Sequence, residues 1–213
     1  MEQQTTVIKK SWGMKIAKVL VGIVVVCGIL FGILVIVRIP HVINKQKTAE
    51  QVAKIHATKL TLDDVMGKNL PPDPGANADT TIAGVDANRN GIRDDVELAI
   101  FKEYPDSAKT RAVLLQYALA LQMEAIQSLV NTETVTAVAE DGDRAYACVG
   151  KITSRDDMSK YSEIVDARRG FVENKQLNTE VRKKAQHDFY QGNLGSYTSP
   201  RESCDLDVTT LLN

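Results

Sequence analysis

The 213-residue chain is 44% hydrophobic and 25% charged, a composition that excludes wholesale disorder and leaves room for one ordinary domain plus extras. Its formal charge of −1 is unevenly shared, because residues 42–213 hold 21 of the 26 basic and 26 of the 27 acidic side chains, a net −5. An acidic domain of this kind lacks the basic surface that a nucleic-acid partner demands, so no such partner is expected.

In chain order, residues 1–15 form a short polar start and residues 16–38 a transmembrane helix. Residues 19–37 carry no charge and are rich in Val, Ile and Leu. At 1.5 Å per residue they span roughly 28 Å, close to the hydrocarbon thickness of a bilayer. A soluble core helix is seldom apolar on every face over this length. A cleaved signal peptide would be shorter and would end in small residues, whereas this run ends Val35-Ile36-Val37-Arg38. Cys27 follows Val24-Val25-Val26, a poor lipoprotein processing site. Gly28 and Gly32 would allow a second copy of the helix to approach closely, favouring a homodimer.

The flanking charges, Lys9, Lys10, Lys15 and Lys18 before the helix against Arg38, Lys45 and Lys47 after it, only slightly favour a cytoplasmic N-terminus. A short N-terminal segment before a large domain fits a signal anchor with the domain outside the cell membrane. Cys148 and Cys204, the two cysteines beyond the helix, agree, because an oxidising compartment allows them to pair. Such a bridge would tie the tail to the core. The expected fold class is therefore mainly α, an N-terminal transmembrane helix followed by a small extracytoplasmic helical domain.

Residues 39–69 read as a helical stalk, with a bend at Pro40, an amphipathic stretch over residues 42–58, and a short helix from Leu62 to Met66 capped by Thr61 and ended by Gly67. Residues 70–85, opening Leu70-Pro71-Pro72-Asp73-Pro74-Gly75, read as a rigid extended linker. The helical domain, residues 86–213, follows. Helices are expected over residues 94–104, 108–130, 134–149, 156–173 and 179–190. Asp106 or Ser107 would cap the second, whose Ala112, Leu115, Leu119, Met123, Ile126 and Val130 recur at spacings of three and four and place it at the centre of the core. The tail from Gly192 looks mostly irregular.

Residues 86–97, Asp-Ala-Asn-Arg-Asn-Gly-Ile-Arg-Asp-Asp-Val-Glu, fit the calcium-loop pattern D-x-[DN]-x-[DN]-G-x5-E at every specified position. Calcium takes six to eight hard oxygen ligands in a flexible shell. Asp86, Asn88 and Asn90 offer side-chain oxygens at alternate positions, and Gly91 permits the sharp turn. Ile92 would give its backbone carbonyl, Asp94 a carboxylate directly or through water, and Glu97 both oxygens from the exiting helix. The neutral Asn88 and Asn90, with Arg89 and Arg93 nearby, point to weaker binding than that of a cytosolic buffer. No second loop pairs with this one and no helix enters it, so Ca2+ is expected to hold a shape rather than to signal.

The loop resembles the lone calcium loops of bacterial surface proteins and of thrombospondin type 3-like repeats. Residues 60–72, LTLDDVMGKNLPP, the loop itself and residues 104–111, YPDSAKTR, are similar to a group of uncharacterised bacterial membrane-anchored or secreted proteins with one EF-hand-like loop. The resemblance covers roughly residues 60–125. It implies a bacterial envelope location and brings no activity; an envelope protein is a possible partner for a module placed there.

Catalytic signatures are sparse. His41, His56 and His187 are the only histidines, and no metal-spaced pair, nucleophile elbow or phosphate loop occurs. Asp156-Asp157 and Asp205/Asp207 read as solvated surface. The expected role is a membrane-tethered, calcium-held structural or interaction module; the alternative is an envelope hydrolase acting on glycan or peptide with a structural calcium.

Overall fold

The computed structural model describes residues 2–191, 194–198 and 202–213, with side chains from Lys15 onward apart from residue 16. The side chains of Lys9 and Lys10, and residues 192–193 and 199–201 of the tail, lie outside what is described. The protein is 68% helical, with no strand among the described residues. Two compact units are present, Met1–Lys47 and Thr48–Asn213.

Helix α1 (Glu2–Ala57) contains the apolar run. It is long and apolar enough to cross a membrane, with a mean hydropathy of 3.3 over its most apolar window, none of it buried. That exposure separates it from a core helix, whose apolar residues would be covered. Pro40 sits inside the helix and does not end it. Proline's fixed φ is close to the helical value, so its ring removes one backbone hydrogen bond without forbidding continuation.

In the second unit, residues 48–69 are part of the packed domain where a stalk was expected. Ile55, Leu60 and Val65 are 2%, 5% and 0% exposed and belong to the core. Helix α2 (Leu62–Met66) opens with a reciprocal cap between Thr61 and Asp64 and closes at Gly67, whose φ of 70° suits glycine. The Pro-rich segment is likewise no free spacer. After Pro74 it forms a short 3-10 turn, Gly75–Asp79, and is pinned by Arg182. That guanidinium donates to the carbonyls of Ala78, Thr81 and Ile82 and pairs with Asp79. Satisfying three loop carbonyls with one buried fork is what orders this stretch, and the partners are about 100 residues apart.

Helices α3 (Asp94–Glu103), α4 (Ala108–Ile126), α5 (Thr132–Lys151), α6 (Met158–Gln176) and α7 (Glu180–Tyr190) complete the domain. Ser107 caps α4, its hydroxyl accepting the Thr110 N–H. Asn131, Asp157 and Thr179 cap α5, α6 and α7 in the same way. Helix α4 packs against α2, α3, α5, α6 and α7 and is buried along almost its whole length, so it is the axis of the core. It ends at Ile126, four residues short of the expected Val130, because Gln127 turns extended.

The described part of the tail has no regular structure, yet it is firmly placed. Cys204 stands at disulfide distance from the buried Cys148 of α5, Sγ–Sγ 2.03 Å and Cα–Cα 5.0 Å. Asp205, expected on the surface, has a side chain only 2% exposed. It accepts from Arg144 at 2.8 Å and from the Leu60 N–H at 3.1 Å. The Gln116 side chain donates to the Ser203 carbonyl and accepts the Asp205 N–H.

Candidate metal centre

The twelve residues 86–97 connect the pinned Pro-rich segment to α3. Gly91 adopts φ 85°, and a Cβ there would meet Leu119 Cδ1 at 2.7 Å. The left-handed turn therefore favours glycine, and a methyl group would also displace the Leu119 side chain. Gly91→Ala is expected to cost about 1–2 kcal/mol of unfolding free energy, measurable as a lowered urea midpoint at constant slope.

The loop is organised by its own side-chain oxygens. Asp86 Oδ1 accepts the Asn90 N–H at 3.1 Å and its Oδ2 the Gly91 N–H at 3.0 Å. Asn88 Oδ1 also accepts from Asn90 N, and Asn90 Oδ1 accepts the Ile92 N–H at 2.9 Å. Both Asp94 oxygens receive the Ala87 N–H, at 3.0 and 3.2 Å. Glu97 Oε2 accepts Asn88 Nδ2 at 3.0 Å. The sequence-predicted oxygen donors Asp86, Asn88, Asn90, Asp94 and Glu97 are thus linked through one hydrogen-bonded loop, while the Ile92 side chain is fully buried in the core.

Burial makes the electrostatics severe. Asp94 and Glu97 are 0% and 1% exposed. Burial pushes the Glu97 carboxyl up to about 7; the Asn88 and Asn90 amides oppose that shift, and Asp64 and Asp94 add to it. Asp94 is also raised, by burial first and then by Asp86 and Asp95, against the Ala87 N–H. Asp86, Asp94 and Glu97 are met by amide N–H groups, and among the described residues no ammonium or guanidinium pairs with them.

Arg93 was expected to add positive charge beside these ligands. It is instead fully buried on the other side of the helix start, with Nε and Nη2 on Asp95 at 3.0 and 2.6 Å and Nη1 on the Gln176 carbonyl. Its charge is neutralised there. Arg89 is exposed, in the left-handed conformation at φ 60°.

Among the described residues, no three His, Cys, Asp or Glu side chains are gathered as a self-sufficient metal cage. A cation here would need the asparagine and backbone oxygens as well. The donor set fits a hard cation in kind: carboxylate and amide oxygens, without sulfur or imidazole.

The histidines gather no catalytic set among the described residues. His187 lies against Gln191, and His56 faces Glu140 and Asp141 at 3.8 and 3.4 Å. Sequence reasoning missed Glu124, a carboxylate 8% exposed on the core helix α4. Its signal was present: one acid within an otherwise apolar helical run. Comparison with family models, with curated proteins and with solved structures finds no match for this chain.

Proposed function

We propose that the protein is a membrane-tethered calcium-binding module, its α1 helix in the plasma membrane, its N-terminus cytoplasmic and its domain extracytoplasmic, where it serves a structural or interaction role. The observation that carries this reading is the pair of buried carboxylates, Asp94 and Glu97, set in a twelve-residue calcium-loop pattern and met only by amides. Burying two anions without a cation is costly, and a divalent ion bound by this loop would offset that cost.

Asp86, Asn88, Asn90, Asp94 and Glu97 would hold the ion, with the Ile92 carbonyl completing the ring. The apolar helix and the Cys148–Cys204 pair support the membrane location and the oxidising compartment. In the apolar helix, nothing lies within 4 Å of a Cβ built at Gly28 or Gly32, so both leave room for a partner helix. An extracytoplasmic domain tethered in this way would find its partner among envelope proteins.

Titration of the full chain in detergent micelles should give one calcium per chain with a dissociation constant of about 10⁻⁵–10⁻³ M and a much weaker magnesium response. No calcium-dependent heat, or equal heats for the two ions, would sink the metal reading. Topology is separable: a phosphatase that folds only in the oxidising compartment, fused after Asn213, should be active, and an inactive fusion reverses the orientation.

A further inference from the structure

A cavity of about 330 Å³ lies between α4, α5 and α7, away from residues 86–97, and the described tail closes one side. Its volume is at the small end of the range for small-molecule sites. Tyr117, Tyr146, Tyr190 and Tyr197 line it, together with the carboxylates of Glu124 and Asp143. No lysine or arginine is among its lining residues.

The polar groups of this cavity are arranged in one sense. Tyr190 donates its hydroxyl to Glu124 Oε1 at 2.7 Å, and Gln186 donates its amide to Oε2 at 2.5 Å. Tyr197 donates to Asp143 Oδ2 at 2.7 Å, and Tyr117 to Glu173 Oε1 at 2.5 Å. These three phenols and the Gln186 amide are therefore each engaged by a carboxylate, which leaves their ring faces and the acceptor lone pairs of the acids towards an occupant. Phenols hydrogen-bonded to carboxylates are also electron-rich, which strengthens the attraction of their faces for positive charge. Burial, and then the neighbouring acids, push the Tyr197 hydroxyl up to about 12, in keeping with a negative environment. One of the four rings already holds a cation, with the Arg169 guanidinium 3.5 Å from the Tyr146 centroid.

Gly142 provides an independent observation. It stands in the middle of α5, where glycine is less favourable than alanine, and nothing lies within 4 Å of a Cβ placed there. Neither a turn nor close packing calls for glycine at this position. Gly142 lines the cavity, and any larger side chain would project into open space.

We propose that this cavity binds a small organic ammonium ion, with the tyrosine faces around its charge and Glu124 and Asp143 as counter-ions. Quaternary and primary ammonium compounds share the required chemistry, so the test uses one of each, choline and cadaverine, against the neutral carbon isostere of choline.

With the full chain in detergent and calcium present, calorimetry or tyrosine fluorescence should show at least one of the two cations binding with a Kd of about 1 mM or below. The neutral isostere should bind at least about tenfold more weakly. Which cation binds more tightly identifies the ammonium class. Gly142→Leu should abolish binding while holding or raising the melting temperature, since leucine is the better helix former. Glu124→Gln should weaken binding at least about tenfold, which keeps the test independent of the leucine variant's folding. Absence of binding by both cations, equal binding of the neutral isostere, or binding that survives Gly142→Leu would overturn the proposal.

Discussion

Calcium added to the full chain in detergent is expected to raise its melting temperature, and Glu97→Gln is expected to remove that gain. An ion that binds only the folded state stabilises by about 2.7 kcal/mol at roughly one hundred times its dissociation constant. For a protein of this size, that corresponds to a rise of about 5–10 °C. Glutamine keeps the shape and one oxygen but loses the charge that closes the shell.

The same substitution should have the opposite effect without calcium. In the folded chain the Glu97 carboxyl is held at about 7 by burial, against an ordinary glutamate value of 4.5. The folded state therefore binds this proton more tightly than the unfolded state does. The penalty is full above about pH 7 and disappears as pH falls towards about 4.5. Acidifying the calcium-free protein from about pH 8 to about pH 5 should thus add up to roughly 3 kcal/mol through this group. Glu97→Gln should flatten that dependence and be the more stable form at pH 8 in chelator. Because the ion requires the ionised carboxylate, the calcium gain should shrink over the same fall in pH. A wild-type melting temperature indifferent to calcium, or a calcium gain that survives Glu97→Gln, would refute the assignment.

Reduction of the Cys148–Cys204 pair is expected to cost up to roughly 4 kcal/mol, from the entropy returned to an unfolded chain freed of a 56-residue closure. The loss falls on a defined place. Cys204 precedes Asp205, whose carboxylate holds Arg144 and the Leu60 N–H, so freeing the sulfur loosens an ionic contact and the entry to α2 together. Urea unfolding with and without reductant should show a large midpoint shift, and alkylation without reductant should modify at most Cys27. Two further alkylated thiols in the folded protein would contradict the pairing and remove a principal support for the extracytoplasmic orientation.

Much of the helical layout was legible because its causes are local. Thr61, Ser107 and the spacing of Ala112, Leu115, Leu119 and Met123 act within a turn or two of themselves, and α2 and α4 begin where they indicate. The loop pattern was legible for the same reason. What escaped was set by partners far along the chain. Asp205 is surface-like by type and is buried by Arg144 and Leu60; Arg93 is a loop charge by position and is withdrawn to Asp95 and Gln176. The supposed linker is ordered by Arg182, about 100 residues away. The open space beside Gly142 is likewise set by the elements around α5 and leaves no local mark in the sequence.

The placement of residues 203–212 has a consequence for how the domain is made. The Leu212 carbonyl accepts the Lys109 N–H at the start of α4, Gln116 in the middle of α4 grips Ser203 and Asp205, and Val208 is buried. The central helix is therefore synthesised some ninety residues before the segment that completes its packing. Contacts that wait on such distant partners form late and slowly. Nascent chains still lacking that segment would expose the side of α4 it covers, so its arrival acts as the latch that ends their vulnerability to proteases and aggregation.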